Sequence, residues 1–183
     1  IARMGIARTF QNIELFDHMN TMENIMLGRH IHMKTGLFKG MFLWGKSSFA
    51  GKEEIRHREK VESIIDLLEL QNVRDKFVGA LPYGTQKLIE LGRALALEPE
   101  LLLLDEPCAG MNTEEKQDMI FWIKDIQDDL GISILLIEHD MKMVMDISDR
   151  VLAINFGKPV TLGAPDQVQQ NKEVLKAYIG EDG

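Results

Sequence analysis

The chain has 183 residues, of which 45 % are hydrophobic, and a formal net charge of −8. That length supports one sizeable core, or a core with a subdomain, and that hydrophobic content excludes a disordered chain. The acidic balance excludes a general nucleic-acid binder, and the single cysteine, Cys108, excludes an internal disulfide and fits a reducing compartment.

The sequence opens on Ile1 with "IARMGIARTFQ", which carries no turn or cap, so an N-terminal portion is expected to precede it. Thr21–His30 is a short helix candidate. Met33–Ser48 reads as an irregular loop. Lys52–Leu70 is amphipathic, with Val61, Ile64, Ile65 and Leu68 on one face. Thr85–Leu97 is a second helix, with Leu88, Leu91 and Leu95 between charged positions. Strands are scarce in this half, which reads as a helical subdomain placed before a sheet.

Apolar runs of strand length follow at Leu101–Leu104, Ile132–Ile137, Val151–Phe156 and Pro159–Leu162. The first two are apolar on both faces, the pattern of parallel strands covered by helices. Between them Thr113–Leu130 has Met119, Ile120, Ile123 and Ile126 at helical spacing, with Thr113 as the expected N-cap and Gly131 as the stop. Strand, helix, strand is the crossover unit of an α/β fold. No apolar run approaches the ~20 residues of a membrane span.

Asp105 and Glu106 directly follow one strand candidate, and Glu138 and His139 follow the next. Ligands of open α/β sheets bind outside the carboxyl ends of the strands. Helix capping accounts for Asp140, but poorly for "LLLLDEP", because Pro107 and the Cys-Ala-Gly after it delay the next helix. A strand-end aspartate can hold magnesium through water, a neighbouring carboxylate can deprotonate a water, and a histidine can touch a terminal phosphate. Together these suit hydrolysis of a nucleotide γ-phosphate. Cys108 has no histidine partner in its vicinity of sequence and reads as a small packed residue.

On these residues the chain resembles the ATP-binding cassette (ABC) ATPases. "LLLLDEP" is similar to their Walker B motif, "LPYGTQK" stands where they carry LSGGQ, "RTFQ" places Gln11 like the Q-loop glutamine, and "IEHD" places His139 like the switch histidine. "GIARTFQNIELFDHMNTMENIMLG", "DEPCAGMN", "LLIEHDM" and "VLKAYIGED" resemble the ATP-binding subunits of branched-chain amino-acid importers. The resemblance implies an α/β P-loop NTPase (RecA-like) core with an inserted helical subdomain, its N-terminal part missing here. It divides the chain into 1–97, the Q-loop and helical subdomain ending in the signature, and 98–183, the C-terminal part of the core.

The resemblance also implies ATP and Mg2+ as ligands. Asp105 would help bind magnesium, Glu106 would be the general base, and His139 would contact the γ-phosphate. Gln11 would touch magnesium or the attacking water. Leu81, Pro82, Tyr83, Gly84, Thr85 and Gln86 would face the nucleotide held by a second ATPase subunit, in a homo- or heterodimer. Asn112 stands where the family has an aspartate near that nucleotide. Pro82 replaces the signature serine and removes a hydroxyl, and of the two glycines only Gly84 remains.

Transmembrane permease subunits are the implied partners, and the implied place is cytoplasmic, on the inner face of the membrane. The segment after Gln11, with Leu15, Phe16, Met19 and Met22, is either core of the helical subdomain or a docking surface for the permease. "GMFLWGKS", Gly40–Ser47, matches G-x-x-x-x-G-K-S in form only, because no strand precedes it and bulky residues fill it. The true phosphate loop is expected before Ile1, so the piece given is expected to be inactive while the full-length protein hydrolyses ATP. The rival readings are a non-hydrolysing regulatory module and a soluble ABC ATPase.

Overall fold

The computed structural model describes residues 1–9, 11–33 and 49–178. Within these the chain forms two compact units, residues 1–137 and 138–183.

The first unit is built on a three-stranded sheet in the order β1–β2–β3, from Ile6–Arg8, Leu101–Asp105 and Ser133–Ile137. All pairings are parallel; Ile6 lies opposite Leu101, and Leu101 opposite Ser133. β2 is the middle strand, and its Leu102 and Leu104 are buried. β3 departs from the sequence expectation of two covered faces, since Leu135 and Ile137 are more than half exposed. β1 has no signal in the sequence. Three residues are too few to show a period, and their partner lies nearly a hundred positions away.

The helical part consists of α1 (Thr21–Gly28), α2 (Phe49–Leu67) and α3 (Tyr83–Leu95). Their apolar faces meet through Ile25, Val61, Ile65, Leu68, Ile89 and Leu91, all at most 2 % exposed. Burial of this kind contributes about 1.5–3 kcal/mol per large side chain relative to exposure. Met22 belongs to this core, whereas Phe16 stands out of it. The expected loop Met33–Ser48, with the Gly40–Ser47 match inside it, lies outside the described residues.

α4 (Thr113–Leu130) joins β2 to β3. Its N-cap is Asn112, not Thr113: the Asn112 side chain accepts from the amides of Glu114 and Glu115, and the Glu115 carboxylate accepts from the Asn112 amide. Asparagine caps better than threonine, and glutamate at the third helical position completes the box. The helix ends at Gly131, whose φ of 62° is left-handed and open to glycine at little cost.

The second unit contains α5 (Met141–Ile147), the strands β4 (Val151–Asn155) and β5 (Lys158–Gly163), α6 (Pro165–Gln169) and α7 (Lys172–Tyr178). β4 and β5 pair antiparallel. Val151, Ala153, Val168 and Val174 form its core. As expected, Asp140 caps α5, accepting from the Met143 amide at 3.2 Å.

Candidate active site

β2 carries apolar side chains up to Leu104 and then delivers Asp105 and Glu106. Glu106 leaves the strand with φ of 45°, in the left-handed region that non-glycine residues seldom adopt. Its amide still bonds to the Ile137 carbonyl at 2.9 Å, which pins the turn to β3. Such backbone strain persists where its surroundings over-determine it, and it clusters at functional sites.

Both carboxylates are met by the end of β1 and the segment that follows it. Arg8 Nη2 donates to Asp105 Oδ2 at 2.7 Å, and Gln11 Nε2 donates to Glu106 Oε2 at 3.0 Å. Parallel pairing of β1 with β2 accounts for this, since both chains then run out at the same end of the sheet. Gln11 is therefore beside Glu106, a pairing that its motif did not foretell. Arg8 was missed: an arginine in a strand too short to recognise offers no signal of its target.

The signature segment opens α3. Leu81 is buried, Pro82 and Tyr83 are exposed, and Gln86 Nε2 donates to the Leu81 carbonyl at 2.9 Å. The helix begins at Tyr83, two residues earlier than its periodicity suggests. Pro82 fixes the entry and offers no side-chain cap, unlike Asn20 before α1 and Asn112 before α4. Gly84 is buried, and a Cβ there would lie 2.7 Å from Glu115 Oε1, so the start of α3 packs on the cap of α4. Burial raises the Tyr83 phenol above its ordinary pKa, with Glu90 adding to it.

Glu138 and His139 belong to the second unit. The Glu138 side chain is 2 % exposed and that of His139 is 72 % exposed. Glu138 Oε2 accepts from the His139 amide at 3.2 Å and lies 3.9 Å from its Nδ1. Cys108 is buried. Among the described residues no group of three or more His, Cys, Asp or Glu is placed to hold a metal ion. Asp105 and Gln11 supply hard oxygen donors, and Asp105 already attracts a cation in Arg8. That set fits magnesium, which takes one or two protein oxygens and completes its shell with water and phosphate.

Comparison with known proteins decides the family. The family model described as "ABC transporter" matches residues 1–109. The high-affinity branched-chain amino acid transport ATP-binding protein LivG of Escherichia coli is 40 % identical over 181 residues, which are 99 % of this chain and 70 % of that protein. The chain belongs to the ABC transporter family.

BraF of Pseudomonas aeruginosa, another high-affinity branched-chain amino acid transport ATP-binding protein, is 38 % identical to this cassette over the same shares of each chain. In solved structures the cassette is similar to an ATP-binding cassette of an ABC transporter in its ADP conformation. The TM-score is 0.76 at 28 % identity, covering 98 % of this chain and 70 % of that one. A nucleotide-free ATP-binding cassette gives 0.75 at 28 % identity. The fold is accordingly that of an α/β P-loop NTPase, and the cassette is an ATP-binding ATPase. Among its described residues no helix is long and apolar enough to cross a membrane.

Proposed function

We propose that this cassette hydrolyses ATP to drive a branched-chain amino-acid importer, with Glu106 as the general base. The observation that carries this reading is the pair of bonds at the end of β2, Gln11 to Glu106 and Arg8 to Asp105. They give the two carboxylates different partners, which supports giving them different roles. Asp105 is partnered by a charge, as a cation site is. Glu106 accepts a bond from a neutral amide, and that bond can yield to a water molecule. The identity to LivG and BraF supports the choice of cargo.

In this reading Asp105 and the Gln11 side-chain oxygen would hold Mg2+, which when bound would neutralise charge developing on the phosphates. Gln11 hands its bond on Glu106 to the attacking water and orients it. Glu106 accepts the water's proton as the water attacks the γ-phosphorus, and the bond from that phosphorus to the β–γ bridging oxygen breaks so that ADP leaves. His139, largely exposed on its own unit, contacts the γ-phosphate. Leu81–Gln86 face the nucleotide of a second ATPase subunit, and the uncapped amides that open α3 meet its phosphates. Asn112, whose oxygen is engaged in the cap of α4, offers its amide group to the same nucleotide. The cassette works on the inner face of the membrane, on permease subunits that receive the exposed Phe16.

The cargo is tested by reconstituting the full-length protein with its permease and binding protein in vesicles. ATP hydrolysis should rise severalfold with leucine, isoleucine or valine and stay unchanged with sulfate. Stimulation by sulfate and not by these amino acids would contradict the cargo and leave the hydrolytic reading standing.

A further inference from the structure

α3 grips the segment that carries Gln11. Lys87 is 3 % exposed, and its Nζ donates to the backbone carbonyl of Gln11 at 2.8 Å. Arg93, on the same helix, donates through Nη1 to the Glu14 carbonyl at 2.6 Å. Two cations of one helix thus hold both ends of residues 11–14 by main-chain oxygens. Bonds to carbonyls fix the path of the backbone and leave the Gln11 side chain to its own partner, Glu106 Oε2.

Lys87 is a costly way to fill a core. Glu90, one turn along, is 2 % exposed, and its Oε2 lies 3.6 Å from Lys87 Nζ. An ammonium and a carboxylate buried together gain back little more than their desolvation, and an apolar pair of the same shape often stabilises as well. Stability alone therefore does not explain the pair. Its distinguishing feature is its target, because the lysine ends on the main chain of the residue that touches Glu106.

We propose that Lys87 is a positioning residue for hydrolysis, which ties the placement of the Gln11 amide on Glu106 to the placement of α3. α3 begins with Tyr83 in the signature segment, so one rigid helix links that segment to the glutamine. A shift of α3 then carries Gln11 with it, and hydrolysis is set by where the helix sits. Lys87 acts through Gln11, whose carbonyl it holds. This rests on the reading of Gln11 and Glu106 given above.

The test is a double-mutant cycle in the full-length protein. Lys87→Met combined with Glu90→Gln removes the ion pair without leaving one charge buried alone. The kcat for ATP should fall about tenfold, the usual scale for a residue supporting a reactive group. KM and melting temperature should stay as in the unchanged protein, and cleavage after Glu14 by a glutamate-specific protease should quicken. In a Gln11→Ala background the same replacement should change kcat by less than about twofold, because the group it acts through is gone. An unchanged kcat, or an equal loss in both backgrounds, overturns the proposal. If the paired replacement does not fold, Lys87→Arg keeps the charge on a differently shaped donor and is read by the same two criteria. Gln11→Ala alone tests the underlying reading. Full activity there removes Gln11 from hydrolysis, while cleavage after Glu14 still reports whether Lys87 holds the segment.

Discussion

Arg8 sits on Asp105: its Nη2 lies 2.7 Å from Oδ2, with the arginine side chain 54 % exposed and the carboxylate 27 % exposed. The guanidinium occupies the carboxylate that a magnesium ion would use. An ion pair this open to water contributes at most about 1 kcal/mol. Its effect is therefore expected in competition with the cation and not in folding.

Arg8→Gln should lower the Mg2+ concentration for half-maximal ATP hydrolysis by about two- to fivefold, which corresponds to that energy. Melting temperature should barely change. A magnesium titration of both proteins is the check. A higher magnesium requirement in the variant would mean that Arg8 holds Asp105 in place for the ion and does not compete with it.

His57 gives the helical part a dependence on acid. Arg29, 4 % exposed, donates through Nε to His57 Nδ1 at 3.2 Å, which requires the neutral ring. Burial first, and then the Arg29 charge, hold the His57 pKa below its ordinary 6.5; Glu53 opposes, while His32 and Arg56 add to the fall. The unfolded chain takes up this proton below 6.5 and the folded chain does not. The contribution to stability is then complete above 6.5 and declines as pH falls toward the folded value. His57→Gln should abolish this decline, read as urea midpoints at neutral pH and at successively lower pH. The same slope in both proteins would place the acid sensitivity elsewhere.

Phe16 is 57 % exposed on a segment that is itself tightly held. Asn24, wholly buried, accepts from the Phe16 amide at 2.9 Å and donates to the carbonyls of Phe16, Met19 and Asn20. A large apolar side chain on a fixed loop is a ready anchor for a partner. Phe16→Ser should weaken capture of the permease subunits at least tenfold, while ATP affinity and the melting curve of the isolated protein stay the same. A large drop in melting temperature with capture intact would contradict this.

The parts of this picture that were legible in the sequence share a local cause. Leu101–Leu104 mark a buried strand because four apolar residues stop at two acids, and α4 shows itself through period and a closing glycine. The same acids, with Gln11 and His139, were legible as motifs. What escaped depends on distant partners. β1 exists because Ile6–Arg8 pair with Leu101–Leu103, which no window of local sequence contains. Arg8 acquires its partner only through that pairing. Met22 and Met19 look alike in sequence, yet Met22 is 6 % exposed and lies in the core. Lys87 and Glu90 read as ordinary helix surface, because nothing local shows that the Gln11 carbonyl comes to meet them.

The most direct measurement is ATP turnover by Glu106→Gln in the full-length protein, set beside its ATP affinity. The amide keeps the shape of the side chain and loses the ability to take a proton. Turnover should fall at least about a hundredfold, the lower end for loss of a general base. ATP affinity should be unchanged or tighter, with ATP retained in a stable dimer. Turnover at the wild-type rate would show that Glu106 is not the base and that the strand-end acid pair does not carry hydrolysis.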